Sequence, residues 1–143
     1  MDFDLTENQR MMRDMTRDFA TRELAPVAQE MDETGEVPDD LLRKLAEAGF
    51  FGLSYPEQHG GLGLDSTSYG LVVEELSRQC AGVSIMVMVH NSVGCYPVAS
   101  FASEAVQAAV LPRMAAGELA GFCISEAGAG SDMAALRTRG EQD

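Results

Sequence analysis

Residues 83–89 read VSIMVMV, and the apolar character runs on to Val93, broken only by His90, Asn91 and Ser92 near the end. A helix written this way is hydrophobic on nearly every side. It has no face to give to water and belongs at the centre of a helical bundle. The apolar run is far too short to span a bilayer, so no membrane insertion is expected. The rest of the chain must then supply helices to enclose it.

The flanking sequence does so. Thr6 with Gln9 makes a capping box, in which each side chain satisfies the other's free backbone donor. Behind it Met12, Met15 and Phe19 recur at helical spacing, with Arg13, Arg17 and Asp18 on other faces. This predicts a helix from about Glu7 to past Arg22, kinked or restarted at Pro26. Val37-Pro38-Asp39 opens the next helix, because proline fits a first turn. Leu41, Leu42, Leu45 and Ala48 form its apolar stripe, and Gly49 is its stop. Residues 50–56, FFGLSYP, are too few and too proline-bounded for a helix, and HGGLG at 59–63 reads as a loop. Asp65 or Ser66 caps a third helix, with Tyr69, Val72, Val73 and Leu76 facing inward and Glu74, Glu75 and Arg78 outward. Pro97 bends or restarts the apolar helix. Residues 104–111 form a further one, closed by Pro112 and Gly117. Nine methionines and no tryptophan suit an all-helical interior, since methionine fills the irregular gaps between helices.

The pattern changes only at Gly121. Residues 122–124 (Phe-Cys-Ile) and 136–138 (Leu-Arg-Thr) read as strand fragments, and two strands alone are marginally stable. The expected fold is therefore mainly α. A helical domain over residues 1–119 is followed, at 120–143, by the start of a β-domain.

Charge narrows the function classes. The net charge is −13 and Lys44 is the only lysine, so the basic clusters that hold nucleic acid or an anionic membrane surface are missing. An acidic surface still admits a small anionic ligand, because backbone amides bind one locally. Cys80, Cys95 and Cys123 are odd in number and far apart, and no histidine stands at metal-ligand spacing, so no metal site is expected. The thiols read as buried and free, in a reducing compartment. The acidic start MDFDLTENQR has neither a basic n-region nor an apolar h-region, so no leader peptide and a cytoplasmic location are expected.

The chemistry concentrates in residues 121–132, GFCISEAGAGSD. The stretch is not a dinucleotide fingerprint, because Met133 stands where the last glycine is needed, and no G-K-[ST] follows to make a P-loop. Gly128 and Gly130 permit backbone conformations or close approaches that a side chain would block. Successive amides in such a turn can point at an anion or at the polar edge of a flat ring, and Ser125 and Ser131 add hydroxyls at both ends. From the residues alone, an ordinary strand-ending turn stands beside ligand contact.

The stretch GFCISEAGAGSDMAALRTRG resembles the flavin-binding signature of the acyl-CoA dehydrogenase family. FDLTENQRMMRDMTRDFATRELAP resembles that family's first helix, and LLRKLAEAGFFGLSYPEQHGGLGLD its second helix and following loop. VEELSRQCAGVSIMVMVHNSVGCYP and LPRMAAGELAGFCISEAG continue in the family's order. Two departures are visible. Ala127 replaces the usual proline, and Ser125 stands where threonine is frequent, which keeps the hydroxyl.

The resemblance implies an N-terminal helical bundle followed by the truncated start of a β-barrel-like middle domain, with FAD as cofactor. Phe122, Cys123, Ile124, Ser125 and Gly130 would lie at the flavin, with the Ser125 hydroxyl and nearby amides as donors to its polar edge. Ser131 would contact both cofactor and the pantetheine arm of an acyl-CoA. Cys95 and Val98 either line the acyl pocket or simply pack their helix. Glu126 and Asp132 read as turn-forming caps, and His90 as a hydrogen-bonded core histidine. The implied reaction is α,β-dehydrogenation of a short- to medium-chain acyl-CoA, with hydride passing to the flavin and electrons onward to an electron-transfer flavoprotein. The implied assembly is a homotetramer. No glutamate here matches the family's catalytic base, so no catalytic residue is named, and these residues alone should be inactive. An acyl-CoA oxidase, or a non-catalytic helical module that binds an acyl thioester or a partner, are the alternatives.

Overall fold

A computed structural model describes residues 4–141. The chain runs α1 (Glu7–Phe19), a π-helical turn (Ala20–Leu24), α2 (Ala28–Thr34), α3 (Asp39–Glu47), α4 (Ser66–Ser77), α5 (Ala81–Val89), a second π turn (His90–Cys95), α6 (Tyr96–Phe101) and α7 (Glu104–Ala115), with short 3₁₀ turns at Glu57–His59 and Met133–Ala135.

The capping box forms as expected. The Thr6 amide donates to Gln9 Oε1 at 2.9 Å, and the Gln9 amide to Thr6 Oγ1 at 3.2 Å. The Gln9 side chain then reaches Asp65 Oδ1 at 3.2 Å. Asp65 is itself the cap of α4, taking the Thr67 and Ser68 amides at 2.8 and 2.9 Å. One carboxylate thus ties the starts of two helices together, and α1 packs along α4.

The interior has two parts. In the larger, Met12, Ala20, Leu24, Leu41, Leu45, Phe50, Phe51, Leu53, Val72, Leu76, Val83 and Val87 are buried together. The smaller gathers Tyr55, Cys95, Leu111 and Met114. Residues 50–53 and Tyr55 join the two as core without being a helix or strand. Their backbone groups therefore need partners from elsewhere. Leu62 and Leu64 donate to the Gly52 and Leu53 carbonyls at 2.6 and 2.8 Å. The Asn91 amide, wholly buried, accepts from the Leu53 N–H and donates to the Phe50 and Val87 carbonyls. Gly61 allows this crossing, because a Cβ there would stand 2.0 Å from the Tyr55 carbonyl oxygen.

Three expectations change. Glu75 was placed outward on α4, yet it is 2% exposed. Arg17 reaches across from α1 and binds its two carboxylate oxygens at 2.6 and 3.0 Å, and this charge-assisted pairing is what lets the carboxylate go inside. The apolar segment is also not enclosed on all sides: Val83, Val87 and Cys95 are buried, but Ile85 is 55% exposed. Its helix continues through the π turn as Ala81–Phe101, so by length and composition alone it could cross a membrane. The length argument drawn from residues 83–89 therefore does not apply to the whole helix. Its inner face carries buried Ser84, His90 and Asn91, all hydrogen-bonded within the bundle.

The third change lies beyond Ala120. Among the described residues there is no strand, and residues 122–124 and 136–138 have no regular secondary structure. Within the described residues the pairing is limited to an isolated bridge, in which Glu126 and Ala129 exchange two backbone hydrogen bonds at 2.9 and 3.1 Å. A strand needs a neighbour. Here the Glu126 carboxylate takes the Arg137 and Thr138 amides and the Thr138 hydroxyl instead.

Candidate functional site

The glycine-rich stretch leaves the bundle at Ala120. The Ala120 amide donates to His90 Nδ1 at 3.0 Å. From there Phe122 (51% exposed), Cys123 and Ser125 stand open to solvent, with Ile124 half-buried. The amides of residues 121–125 and the Ser125 hydroxyl make no hydrogen bond within the described residues, so these donors stand open for a partner. This donor set fits the polar edge of a flavin. The sequence pattern predicts three buried thiols, but only Cys95 is buried: Cys80 is half-buried, and Cys123 is exposed because its segment lies on the surface.

The turn that follows is compact. The Glu126–Ala129 bridge closes it, Ala129 is buried, and Glu126 is held well below its usual carboxylate range by the Thr138 hydroxyl and then by the Arg137 and Thr138 amides. Asp132 caps the 3₁₀ turn through the Ala134 amide at 3.2 Å. Both acids therefore serve the backbone. Gly130 and Ser131 are exposed. Neither Gly128 nor Gly130 has a positive φ, and a Cβ at either would meet nothing within 4 Å. Neither a positive φ nor a close neighbour within the described residues calls for glycine at these two positions.

Cys95 and Val98 lie elsewhere, on the long helix. Cys95 is wholly buried against Tyr55, Leu111 and Met114, and Val98 is half-buried beside it. The Cys95 thiol lies 3.2 Å from His90 Nε2. This is not an activated pair: burial pushes the thiol up to about 12, which keeps it protonated. Burial likewise lowers the His90 pKa, against the pull of the Phe51 and Met114 carbonyls. The sequence reading missed a shallow groove between the loop and the long helix, lined by Ser54, Leu64, Ser66, Tyr69, Ser92 and Tyr96. Its lining comes from three separate segments, so no local pattern marks it.

A sequence model of the acyl-CoA dehydrogenase N-terminal domain matches residues 6–118. The chain belongs to the acyl-CoA dehydrogenase family. Its likeness extends past that domain into the glycine-rich stretch. An acyl-CoA dehydrogenase of Bacillus subtilis (strain 168) is 42% identical over 135 residues, covering 94% of this chain and 36% of the relative. Butyryl-CoA dehydrogenase from Megasphaera elsdenii superposes with a TM-score of 0.86 at 34% identity, over 96% of this chain and 37% of that one. A chain in a structure concerning the electron transferring flavoprotein of Acidaminococcus fermentans, and flavin-based electron bifurcation, superposes with a TM-score of 0.90 at 39% identity, over 96% and 36%. The chain thus spans little more than a third of the length of these relatives.

Proposed function

We propose that this chain is the N-terminal part of an FAD-dependent acyl-CoA dehydrogenase. Residues 1–119 form its helical domain and residues 120–143 begin its middle domain. The observation that carries the reading is the open row of donors at 121–125, anchored to the bundle at Ala120. The flavin, when bound, supplies the hydride acceptor. Phe122 and Ile124 give apolar contact, and the Ser125 hydroxyl and local amides donate to the polar edge, where donors favour the reduced form by stabilising its negative charge. Cys123 and Gly130 complete the cofactor-facing stretch. Gly128 and Gly130 let the backbone come close, and Ser131 reaches the pantetheine arm. Val98, half-buried on the long helix, borders the acyl tail, whereas Cys95 is sealed inside the smaller core and packs its helix.

The substrate in this reading is a short- to medium-chain acyl-CoA, in keeping with the butyryl-CoA dehydrogenase among the similar structures. Electrons leave to an electron-transfer flavoprotein, and the complete enzyme is a cytoplasmic homotetramer. The catalytic base is not among these residues, so this chain alone does not turn over. The test is to mix the full-length protein anaerobically with a series of acyl-CoA thioesters and follow the flavin absorbance. Bleaching that is greatest with short chains supports the proposal. A flavin that no acyl-CoA bleaches contradicts it.

A further inference from the structure

Ala120 is held from two sides by one turn of the long helix. Its amide donates to His90 Nδ1 at 3.0 Å. Gly94, one turn further along, lies beneath it: a Cβ on Gly94 would stand 2.5 Å from the Ala120 Cβ. Both residues belong to the π turn His90–Cys95. A π turn re-aims side chains relative to the α-helix around it, and such turns recur at functional sites.

The His90 ring has one allowed state here. An amide N–H can only donate, so Nδ1 must be the bare nitrogen and the proton sits on Nε2. Nε2 then donates to the Phe51 carbonyl at 3.1 Å. The Phe51 ring packs edge-on against the imidazole, with centroids 5.1 Å apart. The ring is 1% exposed, so water does not compete for either nitrogen.

We infer that His90 and Gly94 form a saddle that sets the height and register at which residues 121–125 leave the bundle, and that they are positioning residues for the flavin-facing donors. This rests on the flavoenzyme reading above. Neither residue bonds to residues 121–125. Each acts through Ala120. The Phe51 carbonyl fixes the imidazole, the imidazole fixes the Ala120 amide, and the bare helix surface at Gly94 lets the chain sit down on it. A shift at this point carries into every donor that follows, because the segment has no other hydrogen-bonded anchor before Glu126.

The test uses the full-length flavoprotein and four variants: His90→Gln, Gly94→Ala, Ala120→Gly, and Gly94→Ala combined with Ala120→Gly. The readouts are FAD affinity, the visible band of the bound flavin, and the melting temperature. His90→Gln and Gly94→Ala should each weaken FAD by about threefold to tenfold, the worth of one displaced hydrogen bond, and shift the flavin band. A merely structural role would lower the melting temperature but leave the band of the loaded enzyme unchanged. Removing the Ala120 Cβ removes the clash, so the double variant should return to the level of Ala120→Gly alone, even if Gly94→Ala by itself fails to fold. Unchanged flavin spectrum and affinity in His90→Gln, or a double variant no better than Gly94→Ala, overturns the saddle. A wild-type protein that takes up no flavin overturns the proposed function, and the inference falls with it. Flavin content of the wild type and behaviour of the variants therefore separate the two failures.

Discussion

Asn91 accepts the Leu53 amide at 2.8 Å inside the core, and its own amide nitrogen donates to the Phe50 and Val87 carbonyls. This one side chain completes the hydrogen bonding of a core segment that has no secondary structure of its own. Asn91→Leu should cost roughly 2–4 kcal/mol, because it leaves the Leu53 N–H and the Phe50 carbonyl buried without partners. Chemical denaturation checks this through a lower midpoint. A variant as stable as wild type would mean that the loop does not depend on Asn91.

Gly61 and Gly130 should respond oppositely to alanine. A Cβ at Gly61 collides with the Tyr55 carbonyl at 2.0 Å, and backbone cannot step aside cheaply. Gly61→Ala should cost about 3 kcal/mol or more. A Cβ at Gly130 meets nothing within 4 Å, and its φ is not positive. Gly130→Ala should change stability by no more than about 0.5 kcal/mol, yet weaken FAD binding by the full-length enzyme. Thermal melts with and without FAD distinguish the two outcomes.

This contrast also marks what the sequence made legible. Most helix ends followed from local chemistry: the Thr6–Gln9 box, Pro38, Gly49 and Asp65 each state where a helix starts or stops, whereas Pro112, expected to close its helix, stands inside α7. The burial of Glu75 did not, because it depends on Arg17, far away in the chain but adjacent across two helices. The exposed Ile85 face is equally silent, since an apolar helix does not say which side finds a neighbour. Strand character at 122–124 is a property of the segment, whereas a ladder is a property of the pair. The flavin-facing residues were readable only through the likeness of GFCISEAGAGSD to a family signature. Their free donors became visible in the fold.

Stability should fall in two separate steps as the solution is acidified. His90 has its pKa lowered from the ordinary 6.5, chiefly by burial. Its neutral form is thus fully stabilising above about pH 6.5, and this contribution is lost as pH falls from there towards the folded value, because the unfolded chain takes up the proton first. The facing Cys95 thiol and the nearby Tyr55 hydroxyl are both pushed up by burial and stay neutral throughout. Glu75, lowered mainly by its hydrogen bond from Arg17, and Asp65, lowered mainly by the Ser68 amide, lose their contributions only below their ordinary values of 4.5 and 3.8. Denaturation midpoints across acidic pH should show the upper step in wild type and its absence in His90→Gln. A single step confined to the carboxylate range would contradict this.

The three thiols should react in order of exposure. Cys123 is exposed, Cys80 half-buried and Cys95 buried, with its pKa pushed up to about 12. Thiolate fraction and access both govern the rate, so a thiol reagent under native conditions should label Cys123 first and Cys95 only on unfolding. Mass mapping of the labelled peptides reads the order directly. Early labelling of Cys95 would show that the smaller core opens more readily than its packing indicates.

The central claim is that residues 121–125 meet a flavin through donors that favour its reduced form. The most direct measurement is the reduction potential of the bound flavin in the full-length protein, compared with that of Ser125→Ala. Loss of the hydroxyl should make the potential of the flavin-loaded protein more negative while the fold stays unchanged. An identical potential in both proteins, or a wild-type protein that binds no flavin, would contradict the account.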